Sequence, residues 1–277
     1  MDCFYINLAQ ATDRRARLER NFEQTRQGQW TLNRFNAVDV AHVQSLSVPG
    51  RLKETEKACF LSHQAIIAQQ AKSADGAGIF VLEDDALLGT QTFAALDEFL
   101  ENSQRNSLEW DVVFTDICVP LAETMVQMIR LRSQLVANQR TQLIDLKQFV
   151  FGGATAYLVN GASINKLHHL LQSEPQLDVA YDIYLRKLIH QGALKGYCLF
   201  PFVTSLSSEA ETSQIQSQGT QVTDLIWNSF RRMTWRERNV SMLDGDIQAI
   251  REACHDDEAE KFGVILGALL SKSFVPK

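Results

Sequence analysis

An α/β fold with a mostly parallel central sheet is what this sequence predicts, on three observations. Short apolar runs alternate with amphipathic segments of helical length. Two successive runs, IFVLEDD (79–85) and WDVVFTD (110–116), end in acids, and ligands of open parallel sheets sit at the carboxyl ends of strands. Finally, 277 residues at 45% hydrophobic composition can bury a sizeable core.

Taken in order, CFYINL (3–8) reads as a strand and ATDRRARLERNFEQ (11–24) as a helix. Thr12 or Asp13 is its N-cap, and Leu18 and Phe22, four apart, share one face. WTLNRFNAV (30–38) alternates as a second strand, and Val48, Pro49 and Gly50 mark a loop. ETEKACFLSHQAIIAQQAK (54–72) is a long helix, the SADGAG run breaks it, and IFVL (79–82) is the next strand. Residues 93–100 are helical, 110–117 form another strand, and the Gln-rich stretch 123–142 is a helix or a mobile excursion. GGATAYLV (152–159) is a strand, Asn160 and Gly161 a turn, and ASINKLHHLL (162–171) a helix with Ile164, Leu167 and Leu171 on one side. Residues 178–191 read as a further helix, and KGYCLFPFV (195–203) as a strand that Pro201 puts near an edge or an end. Amphipathic helices take over at 225–238 and 246–270. The expected division is therefore a main domain over 1–218 and a helical C-terminal appendage over 219–277.

The net charge of −6, spread along the chain, argues against a general nucleic-acid binder, whose affinity comes from neutralising phosphates. Cys3, Cys59, Cys118, Cys198 and Cys254 are far apart and form no CxxC pair, which fits a reduced compartment. No basic region followed by a long apolar one opens the chain. GVILGALL (263–270) falls far short of the roughly 20 residues a spanning helix needs. These features lead to an expected cytoplasmic location.

Three adjacent carboxylates, Glu83, Asp84 and Asp85, repel one another and lose hydration if covered. A fold keeps them near its core when a cation, a basic partner or open water meets them. Strand alternation points Glu83 and Asp85 one way and Asp84 the other, and two carboxylates on one side suit Mn²⁺ or Mg²⁺. The plainer reading is an exposed turn whose acids cap the next helix. A response-regulator receiver also has paired acids at a strand end, with Asp116 then the phosphoacceptor. Only 30 residues separate Asp85 from Asp116, too few for the helix, strand and helix a receiver needs there.

The motifs in their order resemble glycosyltransferase family 25, the bacterial lipooligosaccharide galactosyltransferases and their relatives. The stretches are FYINLAQATDRRARLE, FNAVD, ACFLSHQAII, VLEDDALL, DVVFTD, GATAYLVNGASINKLHHLL and LDVAYDIYL, over about residues 3–215. The resemblance implies a GT-A-like nucleotide-sugar-binding sandwich. It also implies inverting transfer of a sugar, usually galactose from UDP-galactose, to a lipooligosaccharide or other surface glycan, with Mn²⁺ or Mg²⁺ held against the donor diphosphate. Asp85 is then the preferred metal ligand, with Glu83 supporting it and Asp84 acting through local structure or a basic neighbour on the donor side. Thr55 stands where relatives often carry Gly, and the Asp39 loop continues with Val-Ala instead of the usual Gly. A catalytically silent nucleotide-sugar-binding relative is the remaining alternative.

His63 has apolar neighbours at three and four residues and reads equally as a core histidine; the match to the family's Ser-His assigns Ser62 and His63 to shaping the donor pocket. Asn7 ends the first strand and Arg14 and Arg15 open the next helix, where guanidinium groups and a helix N-terminus suit a diphosphate. The match singles out Asn7 and Arg15. An inverting transfer needs a carboxylate to take the acceptor hydroxyl's proton. Asp178 and Asp182, four apart in LDVAYD, are the first choices and Asp116 the third, with N-capping the plain reading of Asp178. In LIWNSFRRMTWRER (225–238), Trp227, Phe230 and Trp235 lie among four arginines. That stripe either packs on the main domain or meets a lipid-linked acceptor at the membrane.

Overall fold

The computed structural model describes residues 1–73, 76–207, 222–238, 240–253 and 257–270. Cys254, two residues of the SADGAG run and the expected 218/219 boundary lie outside them. The chain runs β1 (Asp2–Asn7), α1 (Thr12–Thr25), β2 (Thr31–Asn36), α2 (Val40–Ser45), α3 (Glu54–Gln70), β3 (Ile79–Glu83) and β4 (Ala86–Leu88). It continues through α4 (Thr92–Arg105), β5 (Val112–Phe114), α5 (Ala122–Ala137), β6 (Gln142–Asp145), β7 (Ala156–Val159), α6 (Ile164–Gln172) and α7 (Tyr181–His190). It closes with β8 (Gly196–Phe200), β9 (Thr204–Leu206), α8 (Val222–Thr234), α9 (Leu243–Ala253) and α10 (Asp257–Leu270).

Seven strands form one sheet in the order β2-β1-β3-β7-β5-β8-β6. Five share a direction and only β7 and β6 run against them, so the expected α/β sandwich with a mostly parallel central sheet is the architecture of the chain. The reversed β7 sits at the centre, between β3 and β5. An apolar run covered on both faces reads the same in either direction, so its sequence carried no sign of the reversal. Residues alternate between two cores: Ile79 and Val81 of β3 enter one with α3, α6 and α7, while Phe80 and Leu82 enter the other with α1 and α4. Burying one such side chain is worth about 1.5–3 kcal/mol.

Several local expectations change. The N-cap of α1 is Ala11, not Thr12 or Asp13, although Leu18 and Phe22 are buried together. The stretch expected as one helix or excursion splits into α5 and the edge strand β6. β4 and β9, three residues each, pair only with each other among the described residues and are too short to show a period. α7 starts at Tyr181, so Asp178 lies ahead of it and does not share a helical face with Asp182.

Helix α8, the first of the C-terminal helices described, packs on the body. Phe230 joins the first core, and Arg132 of α5 donates from Nε and Nη2 to the Trp235 carbonyl at 3.0 and 2.7 Å, capping the helix end. Arg232 donates to the Leu206 and Ser207 carbonyls and pairs with Asp246. Glu237 accepts from the backbone N–H groups of Thr90 and Gln91 ahead of α4, at 2.8 and 2.7 Å. No described helix is long and apolar enough to cross a membrane.

Candidate functional site

The carboxyl end of β3 opens into a cleft. The same parity that sends Ile79 and Val81 toward α3 sends Glu83 there too, beneath Cys59 and His63. One half of the cleft, an empty volume of about 780 Å³, is walled by Arg14, Val38, Asp39 and Thr55. The other half, about 900 Å³, is walled by Gly153, Thr155, Asp182 and Arg231. Cys59, His63, Glu83 and Asp85 line both halves and form the saddle between them.

The three acids differ in surroundings. Asp84 turns to α1, accepting from Asn7 Nδ2 at 2.8 Å and from Arg14 Nη1 at 3.1 Å; Arg17 donates to its carbonyl. Burial works against the ionised Glu83, but the His63 hydrogen bond at 3.2 Å and the charges of His63 and Arg231 hold its carboxyl below the usual range. Asp85 lacks such help. Burial, then the charges of Glu83 and Asp84, push its pKa up to about 7 against the weaker pull of Arg231 and Arg14. Its Oδ1 is buried and has no hydrogen-bond partner among the described residues. An orphaned carboxylate oxygen beside a second carboxylate fits a hard divalent cation, which carries the charge the chain does not supply.

Ser62 and His63 act from within α3. Ser62 Oγ accepts from the Val38 N–H at 2.9 Å and donates to the Ala58 carbonyl at 2.7 Å, fixing the loop that walls the first half. His63 is fully buried, stacked on Tyr181 at 4.2 Å, with Nδ1 2.9 Å from the Tyr157 hydroxyl. Asn7 is spent on Asp84, on the Ala11 carbonyl and on Arg34, which donates to its Oδ1. Arg14, not Arg15, lines the cleft: one helical step is about 100°, and the face that meets the acidic turn carries Arg14 and Arg17, three apart.

The acids considered for the base separate. Asp182 lines the cleft, and its Oδ2 accepts from the Gly153 N–H at 2.6 Å. Asp178 instead accepts from the Arg51 N–H at 2.7 Å and ties down the loop at Gly50. That glycine has φ +120°, and a Cβ on it would lie 2.3 Å from the Leu177 carbonyl oxygen. Asp116 is enclosed at 0% exposure: Arg231 donates to its Oδ2 from Nε at 2.9 Å and from Nη2, and Thr204 donates to Oδ1 at 3.1 Å. Among the described residues it lines neither half of the cleft, so the geometry favours Asp182 over it as the base and lends the receiver reading no support.

Arg231 is the residue that reading the sequence passed over. It comes from α8, donates to Thr155 Oγ1 at 2.7 Å, and carries its charge into the second half of the cleft. The available signal was the Arg231–Arg232 pair on an amphipathic helix: neighbours 100° apart beside the apolar stripe cannot both avoid the body.

With this geometry in place, comparison with known proteins is specific. A family model described as glycosyltransferase family 25 (LPS biosynthesis protein) matches residues 1–185. The lipooligosaccharide biosynthesis protein lic2B of Haemophilus influenzae is 26% identical over 175 residues, 59% of this chain and 62% of that protein. The lacto-N-neotetraose biosynthesis glycosyltransferase LgtE of Neisseria meningitidis serogroup B (strain ATCC BAA-335 / MC58) is 29% identical over 163 residues, 56% of this chain and 55% of that one. These matches thus span less than two thirds of either relative. Among solved structures, the galactosyltransferase LgtC in complex with donor and acceptor sugar analogs aligns over 71% of this chain and 73% of its own, at 12% identity and a TM-score of 0.40. Mouse xyloside xylosyltransferase 1 aligns over 70% and 63%, at 10% identity and 0.33. The family match runs from β1 into α7 and takes in Asn7, Ser62, His63, the Glu83–Asp85 turn and Asp182, and the chain belongs to glycosyltransferase family 25.

Proposed function

We propose that the protein is a metal-dependent, inverting glycosyltransferase that moves a sugar, galactose from UDP-galactose, onto a lipooligosaccharide or other surface glycan. The observation that carries this reading is Asp85: a family 25 chain holds a buried, unpartnered carboxylate oxygen at the saddle of a two-chambered cleft. Asp85 and Glu83 would hold Mn²⁺ or Mg²⁺, which when bound would supply Lewis-acid stabilisation of the charge on the departing nucleoside diphosphate.

The chain's own residues divide the remaining work. Arg14 and the Val38–Asp39 loop, pinned by Ser62, shape the donor half. Asn7, Arg14 and Arg17 hold the Asp84 turn so that Asp85 faces the cleft. Asp182, oriented by the Gly153 N–H, takes the proton of the acceptor hydroxyl in the other half, where Arg231 keeps positive charge. The work takes place at the inner face of the cytoplasmic membrane, where lipid-linked acceptors are extended, and α8 of the C-terminal appendage brings Asn228 and Arg231 to one cleft wall.

Turnover of several UDP-sugars with Mn²⁺ and with chelator tests this reading. UDP-galactose is consumed with metal and spared without it, and Asp182→Asn slows turnover by about 10²-fold or more with donor binding retained. No turnover of any UDP-sugar, together with unchanged donor binding in Asp85→Ala, would overturn it.

A further inference from the structure

A second set of ligand atoms shares the saddle and has a different chemistry. Cys59 and His63 stand one turn apart on α3 and so project from one face, with Glu83 beneath them from β3. Glu83 Oε1 lies 3.8 Å from Cys59 Sγ and 3.2 Å from His63 Nε2. One ligand atom from each residue falls within a span of 4.8 Å. Zinc bonds of about 2.0 Å to N and O and about 2.3 Å to S at tetrahedral angles put N and O roughly 3.3 Å apart and S and O roughly 3.5 Å apart, so the two edges at Glu83 lie within about 0.3 Å of those lengths.

The surroundings suit such an ion. His63 Nδ1 faces the Tyr157 hydroxyl, which faces the Tyr181 hydroxyl at 2.9 Å. Either hydroxyl can donate, so Tyr157 can accept from His63 Nδ1–H, and the Nε2 proton, which is donated to Glu83 when no ion is bound, is the one that leaves when Nε2 takes a metal. Cys59, His63 and Glu83 all line the cleft, which leaves an entry path and an open fourth position for water.

We propose that Cys59 Sγ, His63 Nε2 and Glu83 Oε1 form a site for a thiophilic divalent cation of the zinc class, distinct from the hard-cation pair of Asp85 and Glu83. A thiolate and an imidazole select zinc over magnesium or manganese. On binding, the thiol and the imidazole Nε2–H each give a proton to water, the S–metal and N–metal bonds form, and thiolate and carboxylate together balance the ion's charge. Because Glu83 belongs to both sets, the soft ion withdraws it from the hard-cation site.

The site is read with the ion alone and does not depend on sugar transfer. Titrating cobalt(II), a spectroscopic stand-in for zinc, into the metal-free full chain gives tetrahedral d–d absorption and a near-ultraviolet thiolate-to-cobalt band. Cys59→Ser abolishes that band and weakens binding at least about tenfold; Cys118→Ser, whose thiol is outside the cluster, keeps it. No band in the wild type, or a band that survives Cys59→Ser, overturns the proposal. If Cys59→Ser fails to fold, alkylation of the wild type mapped by peptide mass decides: zinc shields Cys59 selectively, and equal alkylation with and without zinc overturns the site.

Discussion

Asp85 and Asp116 occupy matching places, just past the ends of the codirectional strands β3 and β5, yet their surroundings are opposite. Asp116 is sealed in and holds an arginine and a threonine. Asp85 has one oxygen buried with no partner, and its pKa rises to about 7. A buried carboxylate needs a cation. Where the chain supplies one, as Arg231 does for Asp116, the acid is part of the scaffold; at Asp85 the proposed function assigns that part to a divalent ion.

Breaking the internal pair gives the largest effect. Asp116→Ala strands the Arg231 guanidinium and costs about 3–5 kcal/mol of stability in denaturant unfolding. Asp116→Leu combined with Arg231→Met removes both charges and recovers most of that loss; a double variant as unstable as the single one would break the comparison.

Asp111, at the other end of the same run, sharpens it. Burial opposes its charge, but Lys166 at 2.8 Å, Ser163 at 2.6 Å and the Lys195 N–H hold its carboxyl below the usual value of 3.8. A depressed carboxyl adds stability above the unfolded value and loses it as pH falls through the folded one. Asp111→Asn therefore costs about 1–3 kcal/mol at pH 7, and the gap to wild type closes below pH 3.8. The smallest effect has the opposite sign. Asp85→Asn in cation-free buffer leaves stability unchanged or raises it by about 1 kcal/mol, because an unpaired buried charge is removed; thermal melts read this directly.

Much of this was legible in the sequence because it is local. Apolar runs marked β1, β3, β5, β7 and β8, and helical spacing buried Leu18 with Phe22. What was not legible depends on partners remote in sequence or on direction. Asp116 reads like Asp85 until Arg231, 115 residues away and beyond the family-matched stretch, closes on it. Asp178 and Asp182 looked alike until the helix began between them. The reversal of β7 and the three-residue strands left no periodicity to read.

The account turns on Asp85 holding a cation, and binding of Mn²⁺ in the presence of UDP, read as loss of the free-ion paramagnetic resonance signal, tests it most directly. The wild type takes up the ion and Asp85→Asn binds it at least about tenfold more weakly, while Asp111→Asn binds as the wild type does. Equal Mn²⁺ affinity in the wild type and Asp85→Asn would contradict the account.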